Sequence, residues 1–317
     1  MIGIETTLKV EGFPITYEPA RFPFFGVNSS VSGVGYNLAR ALARLGNEVR
    51  LLSLIGQDIA AQQVRAALQA DGLPGEDVVG QLALTAQSVI AYDPTGKRAI
   101  FTDLKDVQEQ VFPVERFEAA LAGCHLAALC NINFSRPFLA VAKRAGIPIA
   151  TDVHTIASLE DDYNRDFMQA ADILFMSDER LPLEPEAWAR QVLERFPARI
   201  VVIGLGSQGA LLAQREGGRF TRLPALRTRP VVSTIGAGDA MTCVYGDQED
   251  RESDAYTYKI MLYVRQFPSE EEAAAKWAEV NGPDAVWLDL VLYDNLLIRQ
   301  NHTDTEFYYQ ERHQFKA

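Results

Sequence analysis

The sequence predicts an α/β fold, a mostly parallel central sheet covered by helices with a small accessory sheet over its strand ends. Three observations predict it. Apolar strand-like runs and amphipathic helix-like runs alternate one for one between residues 31 and 205, the rhythm of parallel βαβ units with right-handed crossovers. Two glycine-rich strings, at 32–37 and 234–240, stand next to helix-like segments. Half-polar strand-like runs near the N-terminus and at 88–102 fall outside the alternation.

The elements follow in order. Thr6–Val10 and Ile15–Tyr17 read as short half-polar strands. Val31–Leu45 reads as a helix with Leu38, Ala41, Leu42 and Leu45 on one face and Gly46 as its stop. Val49–Ile55 is an apolar strand and Ile59–Ala70 an amphipathic helix ended by Asp71-Gly72. Ser88–Tyr92 and Ala99–Thr102 flank Asp93-Pro94-Thr95-Gly96, a hairpin signal. Then come strand Leu126–Cys130, helix Arg136–Ala145, strand Ile147–Asp152, helix Tyr163–Ala171, strand Ile173–Met176, helix Pro185–Phe196 and strand Ile200–Leu205. A sheet of this kind binds ligands beyond the carboxyl ends of its strands.

Composition bounds the function. The 317 residues carry 42 acidic and 30 basic side chains, a net charge of −12, which argues against a nucleic-acid or anionic-membrane surface. Three cysteines, Cys124, Cys130 and Cys243, fit a reducing compartment. No apolar run reaches membrane-spanning length, and the N-terminus lacks the pattern of a signal peptide, so a cytoplasmic protein is expected. The charge is uneven. Residues 241–317 hold 15 acidic and 7 basic side chains, 12 of the 30 aromatics and only 2 of the 22 glycines. A boundary is therefore expected near residue 240, with 1–240 as the α/β core and 241–317 as a small α+β module. In that module Tyr256–Phe267, Val286–Leu292 and Thr305–Gln310 read as strands and Ser269–Val280 as a capped helix.

The chemistry is concentrated in the two strings. Thr234-Ile235-Gly236-Ala237-Gly238-Asp239-Ala240 follows the apolar pair Val231-Val232 and precedes a helix start. Glycines there let backbone N–H groups converge beside a helix N-terminus, an anion cradle suited to phosphate oxygens. Asp239 inside that cradle is placed to take a proton from an attacking alcohol, or alternatively to cap a helix. Ser32-Gly33-Val34-Gly35-Tyr36-Asn37 opens the first helix. Its small residues permit close backbone approach, and the Asn37 amide both donates and accepts.

In this order and separation the two strings resemble the two signatures of the ribokinase-like (PfkB) family of carbohydrate and nucleoside kinases. The resemblance runs from Gly3 to about Ala240 and includes Ile203-Gly204-Leu205-Gly206-Ser207-Gln208-Gly209-Ala210. It implies a three-layer fold with a β lid drawn from about 5–25 and 85–112, and ATP-dependent, magnesium-assisted transfer of a phosphoryl group to a sugar or nucleoside hydroxyl. By that resemblance Asp239 is the base and Gly236, Ala237 and Gly238 form the anion hole. Glu5, Gly33, Gly35, Asn37 and Asn133 face the sugar; Ser207, Gly209 and Thr234 line the nucleotide site. Lid strands with exposed edges suggest a homodimer.

Two departures stand against the pattern. Where the family carries Asn-x-x-Glu beside magnesium and phosphate, this chain reads Ser177-Asp178-Glu179-Arg180. Glu179 or Asp178 would then serve the metal, or the run is a helix cap with acidic first-turn residues. After Ala240 the family continues with a long apolar helix, whereas here Gly246–Asp254 is densely charged. The rival expectation is a non-catalytic sugar- or nucleotide-binding protein with an interaction tail.

Overall fold

The structure is a computed structural model that describes residues 1–44 and 46–225, and the backbones of three further strands, Leu262–Gln266, Leu290–Tyr293 and Leu296–Gln300. The chain begins with β1 (Gly3–Lys9), crosses a long loop and returns as β2 (Val27–Ser32). Then come α1 (Val34–Arg44), β3 (Ser53–Ile55), α2 (Ile59–Ala70), β4 (Val78–Gly80), β5 (Gln87–Tyr92) and β6 (Arg98–Asp103). The alternation continues through α3 (Val114–Ala120), β7 (Ala127–Ala128), α4 (Arg136–Arg144), β8 (Ile149–Asp152), α5 (Arg165–Ala170), β9 (Ile173–Ser177), α6 (Pro185–Arg195) and β10 (Ile200–Gly204). An antiparallel pair, β11 (Ala210–Gln214) and β12 (Arg219–Leu223), follows.

The central sheet has the order β12-β11-β10-β9-β8-β7. Strands β7 to β10 run parallel, each joined to the next by one helix, and β11 and β12 add antiparallel. Ile173, Leu174, Phe175 and Met176 are all buried, as expected of a sheet covered on both faces. Leu174, Met176, Val201 and Ile203 join Phe138, Phe167, Trp188 and Val192 of the helices in the main core. The alternate residues Ile173, Phe175, Ile200 and Val202 form a second cluster on the opposite face. Phe117 stacks on Phe138 at 4.0 Å between ring centres, so the third helix is fastened to the fourth.

A second sheet, order β2-β1-β5-β6, is the lid. β1 pairs antiparallel with β2 and parallel with β5, and β5 and β6 form the hairpin expected around Asp93–Gly96. Asp93 closes that turn by accepting from the Thr95 and Lys97 backbone N–H groups at 2.9 and 3.1 Å.

Several boundaries differ from expectation, the first two for a local reason. Ile15–Tyr17 is loop, and β1's antiparallel partner is Val27–Ser32 instead. Pro14, Pro19 and Pro23 in the intervening loop cannot donate to a ladder. Val31 belongs to β2, not to the first helix, because Gly33 at φ +115° breaks the chain direction between strand and helix. The expected strands at 49–55 and 126–130 shorten to Ser53–Ile55 and Ala127–Ala128. No helix among the described residues is long and apolar enough to cross a membrane.

Candidate active site

The site is built where the base of the lid meets the first turn of α1. Ser32, the last residue of β2, donates its hydroxyl to Glu5 Oε2 at 3.3 Å. Asn37 donates from Nδ2 to the same hydroxyl at 3.3 Å. A carboxylate and a carboxamide far apart in sequence are thus joined through one serine. Glu5 sits there because β1 and β2 pair with Gly3 opposite Ser32 and Glu5 opposite Ser30. Gly33 and Gly35 make the approach possible. A Cβ on either would come within 2.8 Å of Met1 backbone atoms, and the Gly35 N–H donates to Met1 O at 3.1 Å. Their smallness serves packing against Met1 at this turn.

Strand register gives the lid two different faces. Glu5 stands opposite Ser30 on one side and Ser88 on the other, and Ser88 stands opposite Thr102. Directly paired residues share a face, so Ser30, Glu5, Ser88 and Thr102 form one polar row across all four strands. Ser32 lies two residues from Ser30 and shares this face. Arg98 lies four residues from Thr102, on the same face, and pairs with Glu179 of the core at 3.9 Å. The Arg98–Glu179 contact turns the polar face toward the carboxyl end of β9.

The carboxyl ends of the central strands carry the remaining polar groups. Asp152, the last residue of β8, is nearly buried and accepts from the His154 N–H at 2.7 Å. His154 holds φ +58°, and its carbonyl accepts from the Ser177 N–H at 2.6 Å. The Asp178 N–H donates to Gly204 O at 3.0 Å, which ties β9 to β10. Burial and the neighbouring Glu179 charge push the Asp178 carboxyl above its usual 3.8. Ser177 to Arg180 is a turn closed by the Glu179 N–H on Ser177 Oγ at 3.3 Å; the next helix begins only at Pro185, so no helix is capped there. Beyond β10 a 3-10 turn, Gly206–Gln208, exposes Ser207 and leads to Gly209. Gly209 has φ +97°, and a Cβ there would stand 1.9 Å from Leu223 O.

Asn133 lies in another network. Its Nδ2 donates to Gln108 O at 3.0 Å and its Oδ1 accepts from Arg136 Nε at 2.9 Å. Thr234, Gly236, Ala237, Gly238 and Asp239 lie outside the described residues, as does Cys243. The sequence did not single out Asp58, which caps α2 and accepts from Thr85 Oγ1 at 2.7 Å and the Thr85 N–H at 3.0 Å. It also left out Ser30, Ser88 and Thr102, whose only signal was a hydroxyl at matching positions of paired strands.

A family model for pfkB family carbohydrate kinases matches residues 4–245. The chain belongs to this carbohydrate kinase family. An ATP-dependent ribose-1-phosphate kinase of Halopiger xanaduensis is 28% identical over 245 residues, 75% of this chain and 79% of that protein. Among solved structures, a microbiome-derived acarbose kinase aligns with a TM-score of 0.68 at 24% identity, covering 77% of this chain and 81% of its own. A ribokinase of Arabidopsis thaliana, solved with ribose and ATP, aligns with a TM-score of 0.61 at 19% identity over 76% of this chain and 81% of its own. The fold of this pfkB-family chain is therefore ribokinase-like, and the four-stranded sheet takes the lid's place in it. The match to residue 245 carries the family a few residues past the compositional break.

Proposed function

We propose that the chain is an ATP-dependent phosphotransferase acting on a hydroxyl of a sugar or sugar-like substrate. The observation that carries the reading is the Glu5–Ser32–Asn37 assembly at the base of the lid. A carboxylate that accepts and an amide that donates and accepts suit vicinal hydroxyls. The assembly faces the strand ends, where kinase chemistry on this fold is expected.

In this reading Glu5 and Asn37 orient the sugar, with Gly33 and Gly35 bringing the α1 turn close. Asn133, in the turn after β7, adds a further polar group on the sugar side. Asp239 takes the proton of the attacking hydroxyl, and the amides of Gly236, Ala237 and Gly238 hold the charge of the transferring phosphoryl group. Thr234, Ser207 and Gly209 border the nucleotide. Gly209 fits that role because its φ and its close approach to Leu223 O fix a compact turn beside the β10 end.

The donor set at 178–179 suits magnesium. Both are oxygen ligands, and the burial and like charge that raise the Asp178 carboxyl are what a hard divalent cation would relieve. Among the described residues no three His, Cys, Asp or Glu side chains converge as a metal cluster. The protein would supply one or two carboxylates, with water and phosphate oxygens completing the shell. Bound there, magnesium would neutralise phosphate charge. The lid face excludes water so that transfer goes to sugar. We further propose residues 1–240 as the kinase core, 241–317 as a separate module, and a homodimer through the lid. A second reading, a sugar- or nucleotide-binding protein with impaired catalysis, is favoured by the 177–180 run, where Ser177 and Arg180 replace the expected Asn and Glu.

ATP–magnesium turnover against a panel of sugars and nucleosides tests the proposal. Asp239→Asn should lower kcat roughly 10²–10⁴-fold while sugar affinity by calorimetry stays within a few-fold. Binding without turnover in the native chain would establish the second reading instead.

A further inference from the structure

We propose that Gln108, in the segment that leaves the lid, is a positioning residue that sets Asn133 for the acceptor. This rests on the reading above in which Asn133 lies on the sugar side, and it adds the residue through which that amide is aimed. Gln108 holds Asn133 at two points. Its Oε1 accepts from the Asn133 backbone N–H at 3.1 Å, and its backbone carbonyl accepts from Asn133 Nδ2 at 3.0 Å. Arg136 Nε donates to Asn133 Oδ1 at 2.9 Å, so the carboxamide is fixed at both ends. A carboxamide has two N–H donors and two acceptor lone pairs. One of each is spent here, and no bond among the described residues uses the other N–H or the other lone pair. Asn133 is half-buried and follows the carboxyl end of β7, the end at which a sheet of this kind takes its ligand. One spare donor and one spare acceptor suit a hydroxyl group, which accepts and donates in turn.

The two groups that aim Asn133 are themselves braced. Gln108 Nε2 donates to the Tyr163 hydroxyl at 3.1 Å, and that hydroxyl donates to Asn131 O at 2.9 Å. The Arg136 guanidinium stands 4.6 and 4.8 Å from the ring centres of Tyr163 and Phe167 and donates to Tyr163 O at 2.7 Å. The segment that carries Gln108 has other anchors. Val107 and Phe112 are fully buried on either side of it, and Phe112 meets Phe138 edge-on at 5.6 Å. These apolar contacts hold the segment on the core independently of the side chain at 108. What the Gln108 side chain adds is a fixed Asn133 backbone, and with it the direction of the amide.

A double-mutant cycle tests this. It measures kcat and KM with ATP–magnesium for ribose, fructose, glucose and adenosine, and Kd for the same four by calorimetry. Q108M keeps the side-chain length but loses the acceptor for the Asn133 N–H and the donor to Tyr163. It should raise the acceptor KM about tenfold, the loss expected for about one hydrogen bond, with the KM for ATP within about twofold. Q108E keeps an acceptor in the same place and should stay within about threefold of the native KM, which separates aiming from a folding defect. In the N133A background Q108M should raise the acceptor KM no further, because a positioning residue acts only through the group it positions. An acceptor KM unchanged in Q108M, or raised as much in N133A as in the native chain, overturns the proposal and leaves the phosphotransfer reading standing. Binding without turnover removes the phosphotransfer reading instead, and the same cycle in Kd then decides Gln108. If none of the four binds, Asn133 faces no acceptor and the proposal falls.

Discussion

At Gly209 one methyl group is enough to disturb the turn after β10, which the proposed function sets beside the nucleotide. Its φ of +97° lies where L side chains are strained, and the missing Cβ would meet Leu223 O at 1.9 Å. Gly209→Ala is expected to cost about 1–3 kcal/mol and to raise the KM for ATP more than for the sugar; calorimetric unfolding and substrate titrations check both. The glycine was legible in the sequence as part of a strand–turn–strand string, but the reason for it was not, since Leu223 lies fourteen positions away. Glu5 and Asn37 were legible as candidates, and Ser32 as the hydroxyl joining them was not. Asn133 is expected to face the sugar, and its side chain also bonds Gln108 and Arg136. A polar side chain after a strand is as well suited to holding Gln108 and Arg136 as to holding a sugar.

Elements with strong periodicity were legible nearly to the residue. Ile59–Ala70 is a helix over the expected span, since Ala60, Ala61, Val64 and Leu68 place one apolar stripe inward. The β2 strand NSSVS was missed because its serines and asparagine carry no apolar alternation; its ladder with β1 is what makes it a strand. Helix α3 has seven residues and β4 three, too few to show a period. Asp58 joins two such elements, capping α2 while accepting from Thr85 just before β5. Burial works against its charge, but the hydrogen bonds from the Thr85 side chain and backbone and from Ala61 N–H outweigh it and hold the carboxyl below its usual 3.8. A depressed carboxyl pKa stabilises the fold above the unfolded value, and that contribution is lost as pH falls through the folded value. Asp58→Ala should therefore cost about 1–3 kcal/mol at pH 7. The gap to the native chain should narrow as the pH is lowered through that acid range, measured by chemical denaturation at each pH. A gap independent of pH would mean that Asp58 acts by packing alone.

On the scale of the whole molecule, the lid has one face turned to the site and one turned away. The away face carries Val89 at 44% and Phe101 at 63% exposure, opposite each other on β5 and β6, with Val27 of β2 at 55%. Near the base the same face is covered, since Ile4 and Val31 pack against the α1–α2 cluster. The sheet also ends in two edge strands, β2 and β6, whose outer ladders are unpaired within the lid. An apolar patch beside open edges favours a self-complementary two-fold contact. Each chain carries a net charge of −12, so two copies repel, and burial of the patch must outweigh that repulsion. Salt screens charge within about 10 Å at 0.1 M and leaves apolar burial in place. Light scattering should accordingly give the mass of two chains, with the dimer fraction at micromolar concentration rising from low to moderate salt. Phe101→Glu should shift the chain to a monomer at every salt concentration by placing a charge in the contact. A native monomer throughout, or a dimer that Phe101→Glu leaves intact, would remove the lid as the interface. A dimer that weakens with salt would show ion pairs, not Val89 and Phe101, holding the copies together.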